Sequence, residues 1–218
     1  MKKIIKLIAL PLCALALVGC SGEKELSHVE ALDYSKKNFS AESVLAKYES
    51  VTYDRKITVE YEDALEDKKH PEVTEKNEAV LAKLKTAFVG LDSKQETVVL
   101  NDTTLDEFFF GEKFLDEFEK EYSAPSISPT YEKIKTGGLR CNTTYSKPFN
   151  NDQLTALDVK EGGIAVKSTV VSNNEGCIIS TTGNSAVAIN VDGDDKNTAD
   201  VQYTITIDVT FTWNVKAA

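Results

Sequence analysis

Strict alternation of apolar and polar residues marks two long β-strands in this chain. Between Tyr203 and Val215 every odd-numbered residue is apolar and every even-numbered residue is polar, most of them threonine. The same alternation runs from Val51 to Tyr61, where one charged residue, Arg55, interrupts the apolar row. Because successive side chains of a strand point to opposite faces, each strand is predicted to have one buried and one solvent-exposed face.

Helical periodicity and capping signals predict helices in the first half of the chain. Ser27 followed by Glu30, and Thr104 followed by Glu107, have the spacing of a capping box. The predicted helices begin after Ser27, after Ser40, at Pro71 and after Thr104, and the last of them continues to about Tyr122.

The second half of the chain is predicted to be β-rich. Glycine and asparagine pairs separate short apolar runs at 131–136, 139–145, 164–172, 176–181 and 185–191. Because helices come first and strands later, the predicted fold class is α+β, with N-terminal amphipathic helices packed on one face of a curved, mostly antiparallel β-sheet. Residues 28–218 are predicted to form a single domain, helix-rich over 28–122 and β-rich over 131–218. The serine- and proline-rich stretch 123–130 is the candidate boundary between these two parts.

The N-terminal segment has the layout of a secretory signal. Lysines follow the initiating methionine, and an apolar run ends in Leu17-Val18-Gly19-Cys20. This tetrapeptide resembles the lipobox of bacterial lipoproteins. The resemblance implies cleavage between Gly19 and Cys20, a diacylglycerol on the Cys20 thiol, and fatty acyl groups such as palmitate holding the protein on a membrane. Residues 1–19 would then be removed, and residues 20–27 would form a lipidated tether. An ordinary cleaved signal is the alternative interpretation.

The resemblance implies an extracytoplasmic protein anchored to the bacterial cell membrane, or to the outer membrane where a cell has two. The protein would contact the membrane through its N-terminal acyl chains alone. Loss of residues 1–19 removes three lysines and no acidic residue, which leaves 22 basic against 35 acidic residues. Such a negative charge repels phosphate groups and disfavours nucleic-acid partners and electrostatic membrane binding.

Two cysteines, Cys141 and Cys177, remain after the signal and the lipidated residue are set aside. In an oxidising compartment an even pair predicts a disulfide. The alternative is two separate buried thiols, because Cys141 alternates with apolar residues in a predicted strand. With only His28 and His70 as further soft ligands, the pair makes a poor zinc site, and we expect no metal.

Phenylalanine is concentrated in one predicted helix. Phe108, Phe109, Phe110, Phe114 and Phe118 fall within eleven residues. Phe108, Phe109, Phe114 and Phe118 are therefore candidate ligand-binding residues that could line an apolar pocket for a lipid. An ordinary core helix is the competing interpretation, since aromatic residues at helical spacing also bury well against a sheet.

Signals for catalysis are weak, and no cofactor is expected. No glycine-rich phosphate loop, GxSxG, HExxH or CxxC motif occurs in the chain. The acidic run from Asp192 to Asp200 invites a calcium interpretation, but Lys196 stands where an EF-hand loop requires a ligand, so a polar hairpin turn is favoured. Scattered carboxylates leave a cell-wall polymer hydrolase as a third hypothesis.

Two binding hypotheses rank above the hydrolase hypothesis. The first is a lipid-anchored, non-catalytic envelope protein that binds an apolar ligand or lipid. The second is a surface interaction or adhesion protein without an internal ligand, whose partner is another envelope protein. A cavity beside Phe108–Phe118 would favour the first hypothesis, and an exposed apolar patch the second.

Overall fold

The molecule is built on a single antiparallel sheet. The computed structural model describes residues 24–62, 64–89, 94–123, 129–192 and 199–217. In chain order the elements are β1 (Lys24–Leu26), α1 (His28–Asn38), α2 (Ala41–Lys47), β2 (Tyr48–Tyr61), α3 (Pro71–Ala87), β3 (Lys94–Val99), a 3-10 turn (Leu105–Glu107), α4 (Glu112–Tyr122), β4 (Thr130–Lys133), β5 (Leu139–Pro148), α5 (Asn151–Leu157), β6 (Glu161–Ser172), β7 (Ile178–Asn190) and β8 (Val201–Val215). The strand order is β1-β4-β5-β6-β7-β8-β2-β3, with each neighbouring pair antiparallel. The α+β class is confirmed.

The first helices begin where their capping residues predict. The Ser27 hydroxyl accepts a hydrogen bond from the Glu30 amide at 3.2 Å, and the Glu30 carboxylate accepts one from the Ser27 amide at 2.8 Å. At α2 the Ser40 hydroxyl accepts a hydrogen bond from the Ser43 amide at 3.2 Å, and Pro71 opens α3 at its first turn. Local chemistry therefore sets these helix starts, because each cap satisfies backbone donors that the helix leaves unpaired.

The single helix predicted from Thr104 to Tyr122 is wrong. A 3-10 turn and an extended stretch precede α4, which begins only at Glu112. The amide of Phe110 donates to the carbonyl of Gly176 at 2.8 Å, and the amide of Ile178 donates to the carbonyl of Phe108 at 2.8 Å. These bonds to the β6–β7 hairpin use backbone groups that a continuous helix would need for itself.

The prediction that all helices are N-terminal is also wrong. Asn150 and Gln153 form a capping box that opens α5 inside the β-rich half. The turn predicted at Gly183-Asn184 is absent as well, because β7 runs through it without a break. Glycine in a strand interior need not end the strand.

Strands from both sides of the candidate boundary lie in the same sheet. β2 and β3 come from the helix-rich part, and β4 to β8 come from the β-rich part. Residues 124–128 of the boundary itself lie outside the described residues. The two parts are joined through the ladder that β2 forms with β8. β1 lies within the stretch 20–27 that was predicted to be a tether, and its residues Lys24–Leu26 pair with β4 as part of the sheet.

Two separate hydrophobic cores cover one face of this sheet, which we call the inner face. The first core lies under α1, α2 and α4, and Phe211 and Trp213 of β8 pack against it. The second lies under α3 and α5 and contains Val201 and Tyr203 of the same strand. Because these four residues are all odd-numbered along an unbroken strand, they point to the same side. The helices therefore pack at the two ends of one face.

Candidate functional site

The middle of the inner face lies between the two cores and belongs to neither. We call this region the central strip. It consists of half-buried residues on four adjacent strands: Arg55 and Ile57 on β2, Ile207 and Val209 on β8, Gly183 on β7 and Ser168 on β6. Strand pairing places them side by side, with Arg55 opposite Val209, Ile57 opposite Ile207, and Gly183 between Ile207 and Ser168.

Gly183 shows that the floor of the central strip is open. A Cβ atom placed on Gly183 would have no neighbour closer than 3.9 Å. Gly162, on the same face but under the second core, differs, because a Cβ there would lie 2.6 Å from the Phe149 ring. A side chain therefore has room above Gly183, where its nearest neighbour is Ile207 of the adjacent strand, whereas the second core fills the corresponding space above Gly162.

The central strip has the dimensions of a narrow groove. Adjacent strands are about 4.8 Å apart, so the four strands give a floor of roughly 14 Å across the sheet. Along β8 only Ile207 and Val209 separate Ile205, which packs against the second core, from Phe211, which packs against the first. The strip is therefore two side chains wide along β8, with about 20 Å between the Cα atoms of Ile205 and Phe211. Its floor combines the aliphatic side chains of Ile57, Ile207 and Val209 with the polar side chains of Arg55, Ser168 and the half-buried Thr181, which pairs with Val209.

Arg55 supplies a cation at the β2 end of the strip. Its Nε atom is buried and has no hydrogen-bond partner among the described residues. A buried donor without a partner costs about 1–3 kcal/mol, and more when the group is charged. Arg55 pairs across the ladder with Lys94 of β3, so two cations stand side by side on the inner face.

The carboxylate nearest to these cations is already engaged. Glu96 accepts a hydrogen bond from the Tyr53 hydroxyl at 2.6 Å and pairs with Lys94. The Lys94 hydrogen bond, followed by the Tyr53 hydrogen bond, lowers the pKa of Glu96, and the charge of Arg55 contributes further. Glu96 therefore stays ionised and bound to other partners, which leaves a donor on Arg55 unsatisfied.

Three of the four candidate phenylalanines, Phe109, Phe114 and Phe118, pack in the first core. Phe109 and Phe118 are buried, and Phe114 is half-buried between Phe110 and Phe118, with ring centroids 4.7 and 5.8 Å away. Phe108 is buried against Phe211, with ring centroids 5.9 Å apart. Three surface clefts of about 590, 500 and 180 Å³ in the described part are lined by other residues. The contacts of these rings are those of an ordinary core, and the open apolar surface lies elsewhere on the sheet.

Cys141 and Cys177 are free, buried thiols, and the predicted disulfide is not formed. Cys141 lies on β5, and β6 separates it from Cys177 at the start of β7. Two strand spacings amount to about 10 Å, whereas a disulfide joins Cα atoms roughly 4.4–6.8 Å apart. Burial raises the pKa of Cys141 and raises that of Cys177 to about 12, so neither thiol is a poised nucleophile.

The remaining titratable groups form no catalytic or metal constellation in the described part. His28 Nε2 lies 3.2 Å from Asp116 Oδ1, and His70 Nδ1 lies 3.2 Å from Glu72 Oε1. No set of three histidine, cysteine or carboxylate ligands is grouped for a metal among the described residues. The carboxylates with shifted pKa values, at Glu30, Glu96 and Glu175, have them lowered, whereas a general acid needs a raised one. Residues 193–198 of the acidic run lie outside the described residues.

A polar network that the sequence did not signal surrounds Glu175. Lys47 Nζ donates to Glu175 Oε1 at 2.6 Å, and the Tyr48 hydroxyl donates to Glu175 Oε2 at 2.7 Å. Both carboxylate oxygens are therefore engaged by partners at the end of α2 and the start of β2. The network ties α2 to the β6–β7 hairpin, so we interpret it as structural.

Gly19 and Cys20 lie outside the described residues, so their lipidation stays a prediction. Among the helices that the structure describes, none is both long and apolar enough to cross a membrane. Comparison with protein-family models, with curated proteins and with solved structures found no significant match to the chain.

Proposed function

We propose that this protein is a lipid-anchored, extracytoplasmic binding protein of the bacterial envelope that takes an apolar ligand or lipid in the central strip and performs no catalysis. The observation that carries the proposal is the open aliphatic floor between two packed cores, with free space above Gly183. Ligand sites are concave and mostly apolar with a few polar groups, which is the composition of this strip.

Three further features support the proposal. The lipobox ending at Cys20 would hold the domain close to a membrane, where apolar ligands are available. We also propose that the sheet is curved, because a concave inner face would deepen the central strip. The raised thiol pKa values and the lowered carboxylate pKa values favour binding over chemistry.

Filling the strip tests the proposal. Gly183→Leu would place a branched side chain in the open space over Ile207, whereas Thr182→Leu, one residue earlier, adds a similar side chain to the opposite, exposed face. Native mass spectrometry of the intact protein from its own host should detect a co-purifying apolar molecule in the wild type and in Thr182→Leu. Gly183→Leu should lose most of it while unfolding at an unchanged temperature. Equal ligand occupancy in all three proteins would reject the central strip as the site.

A second candidate function is supported by the opposite face of the sheet. Thr58, Thr182, Thr210 and Thr212 are exposed there on adjacent strands, interspersed with the exposed charged residues Asp54, Lys56 and Asp208, and together they form a polar surface. Such a surface fits an interaction protein that has no internal ligand. Thr210→Glu together with Thr212→Glu should then abolish in-cell crosslinking to an envelope protein, whereas Gly183→Leu should leave it intact. The reverse result would favour the central strip.

A further inference from the structure

Building on the proposed function, we infer that the ligand is a single-chain amphiphile with a carboxylate head, a fatty acid, and that Arg55 binds the carboxylate. Arg55 stands at one end of the central strip, next to Ile57, with its Nε buried and unpaired among the described residues. An acyl chain lying across Ile207 toward Gly183 would bring its head group to this guanidinium. The ligand carboxylate would then supply a counter-charge to this half-buried guanidinium, whose neighbour Glu96 is already bound by Lys94 and Tyr53.

Charge on the inner face favours an anion. The inner-face positions of β2, β3 and β5 to β8 carry the charged residues Arg55, Lys94, Glu96 and Lys147. Lys94 and the Tyr53 hydroxyl already bind Glu96. The inner face is therefore net cationic in a chain whose overall charge is −10. An anionic head group is attracted to this face and repelled by the rest of the molecule.

The geometry of the guanidinium favours a carboxylate head group. A planar guanidinium matches a planar carboxylate through two parallel hydrogen bonds, and such pairs are stronger than neutral hydrogen bonds. Ile57, next to Arg55 on the same face of β2, and Ile207, opposite Ile57 on β8, supply the aliphatic surface on which the hydrocarbon chain would lie.

Three ligands with hydrocarbon chains of the same length and different head groups test the carboxylate assignment separately from binding in the groove. Palmitate, methyl palmitate and hexadecyl phosphate would each displace a fluorescent fatty acid from the intact protein, which carries Cys20→Ser so that its own acyl groups do not compete. We expect palmitate to bind about tenfold more tightly than the ester, which is the ratio that 1.4 kcal/mol gives, and more tightly than the phosphate.

Arg55→Gln should abolish the preference for palmitate over its ester while leaving ester binding unchanged. Lys56→Gln, the adjacent cation on the opposite face, should keep the full preference. If Arg55→Gln retains the preference, or if the phosphate binds most tightly, the carboxylate assignment is overturned while the groove remains. If neither palmitate nor the ester binds the wild type, the proposed function itself fails.

Discussion

The Ser35 hydroxyl donates a buried hydrogen bond of 2.5 Å to the carbonyl oxygen of Phe110, which joins α1 to the extended stretch that precedes α4. Ser35 is 3% exposed and Phe110 is fully buried. The same stretch is held from its other side by the bond from the Phe110 amide to the Gly176 carbonyl. Residues 108–111 are thus fixed by partners that are distant in sequence.

Ser35→Ala should lower the free energy of unfolding by about 1–3 kcal/mol, because the Phe110 carbonyl would stay buried without its donor. Thr155→Ala is the control, since it removes an exposed hydroxyl from α5, where a change within about 0.5 kcal/mol is expected. Chemical denaturation of both variants measures the difference. Equal midpoints for the two variants would show that the Ser35 bond adds nothing to stability.

Local signals predicted much of the fold. Capping residues located α1 and α2, and alternation located β2 and β8, because both depend on neighbours a few residues away. The helix expected after Thr104 failed for the opposite reason. Its first turn is interrupted by pairing with Gly176 and Ile178, and no local pattern in residues 104–110 reports those partners.

The candidate site was only partly visible in the sequence. Ile207 and Val209 belong to the same alternating row as Tyr203 and Phe211, and the pattern cannot distinguish the covered positions from the open ones. Whether a helix lies above a strand depends on tertiary packing. Arg55 was the one available signal, because a charge in an apolar row either requires a buried partner or marks a site.

Gly183 and Gly138 should respond in opposite ways to an added methyl group. Gly183→Ala enters open space within a strand, so stability should stay equal or rise by about 0.5–1 kcal/mol. At Gly138 a Cβ would lie 2.0 Å from the carbonyl oxygen of Ser172, so Gly138→Ala should be strongly destabilising. Thermal unfolding of the two variants measures the contrast, and a loss of stability in Gly183→Ala would mean that the strip is covered.

Cys141 and Cys177 should react very slowly with alkylating reagents in the folded protein. A pKa of about 12 leaves about one Cys177 thiol in ten thousand ionised at pH 8, and Cys141 is fully buried. Peptide mass spectrometry after iodoacetamide treatment should find both unmodified in buffer and both modified in denaturant. A peptide linked through the two cysteines in the non-reduced native protein would contradict the structure.

The Glu175 network should make the free energy of unfolding depend on pH in the acidic range. Hydrogen bonds from Lys47 and then Tyr48 lower the pKa of Glu175 from 4.5 in the folded state. Its contribution is therefore present above pH 4.5 and disappears as pH falls through the lower folded pKa. The wild type should be more stable than Glu175→Gln near pH 7, and this advantage should shrink below pH 4.5. Glu60→Gln, at an exposed position of β2, should show no such trend, and a pH-independent difference for Glu175→Gln would contradict the assignment.

Membrane attachment should depend on Cys20 alone. The part of the chain after residue 19 has 22 basic against 35 acidic residues, so it has no electrostatic attraction to anionic lipids, and acyl chains must supply the affinity. Cys20→Ser should move the protein from the membrane pellet to the soluble fraction of fractionated cells. Cys13→Ser lies inside the segment expected to be removed, so it should leave the protein in the pellet. A Cys20→Ser protein that remains in the pellet after a high-salt wash would show that another part of the chain holds the membrane.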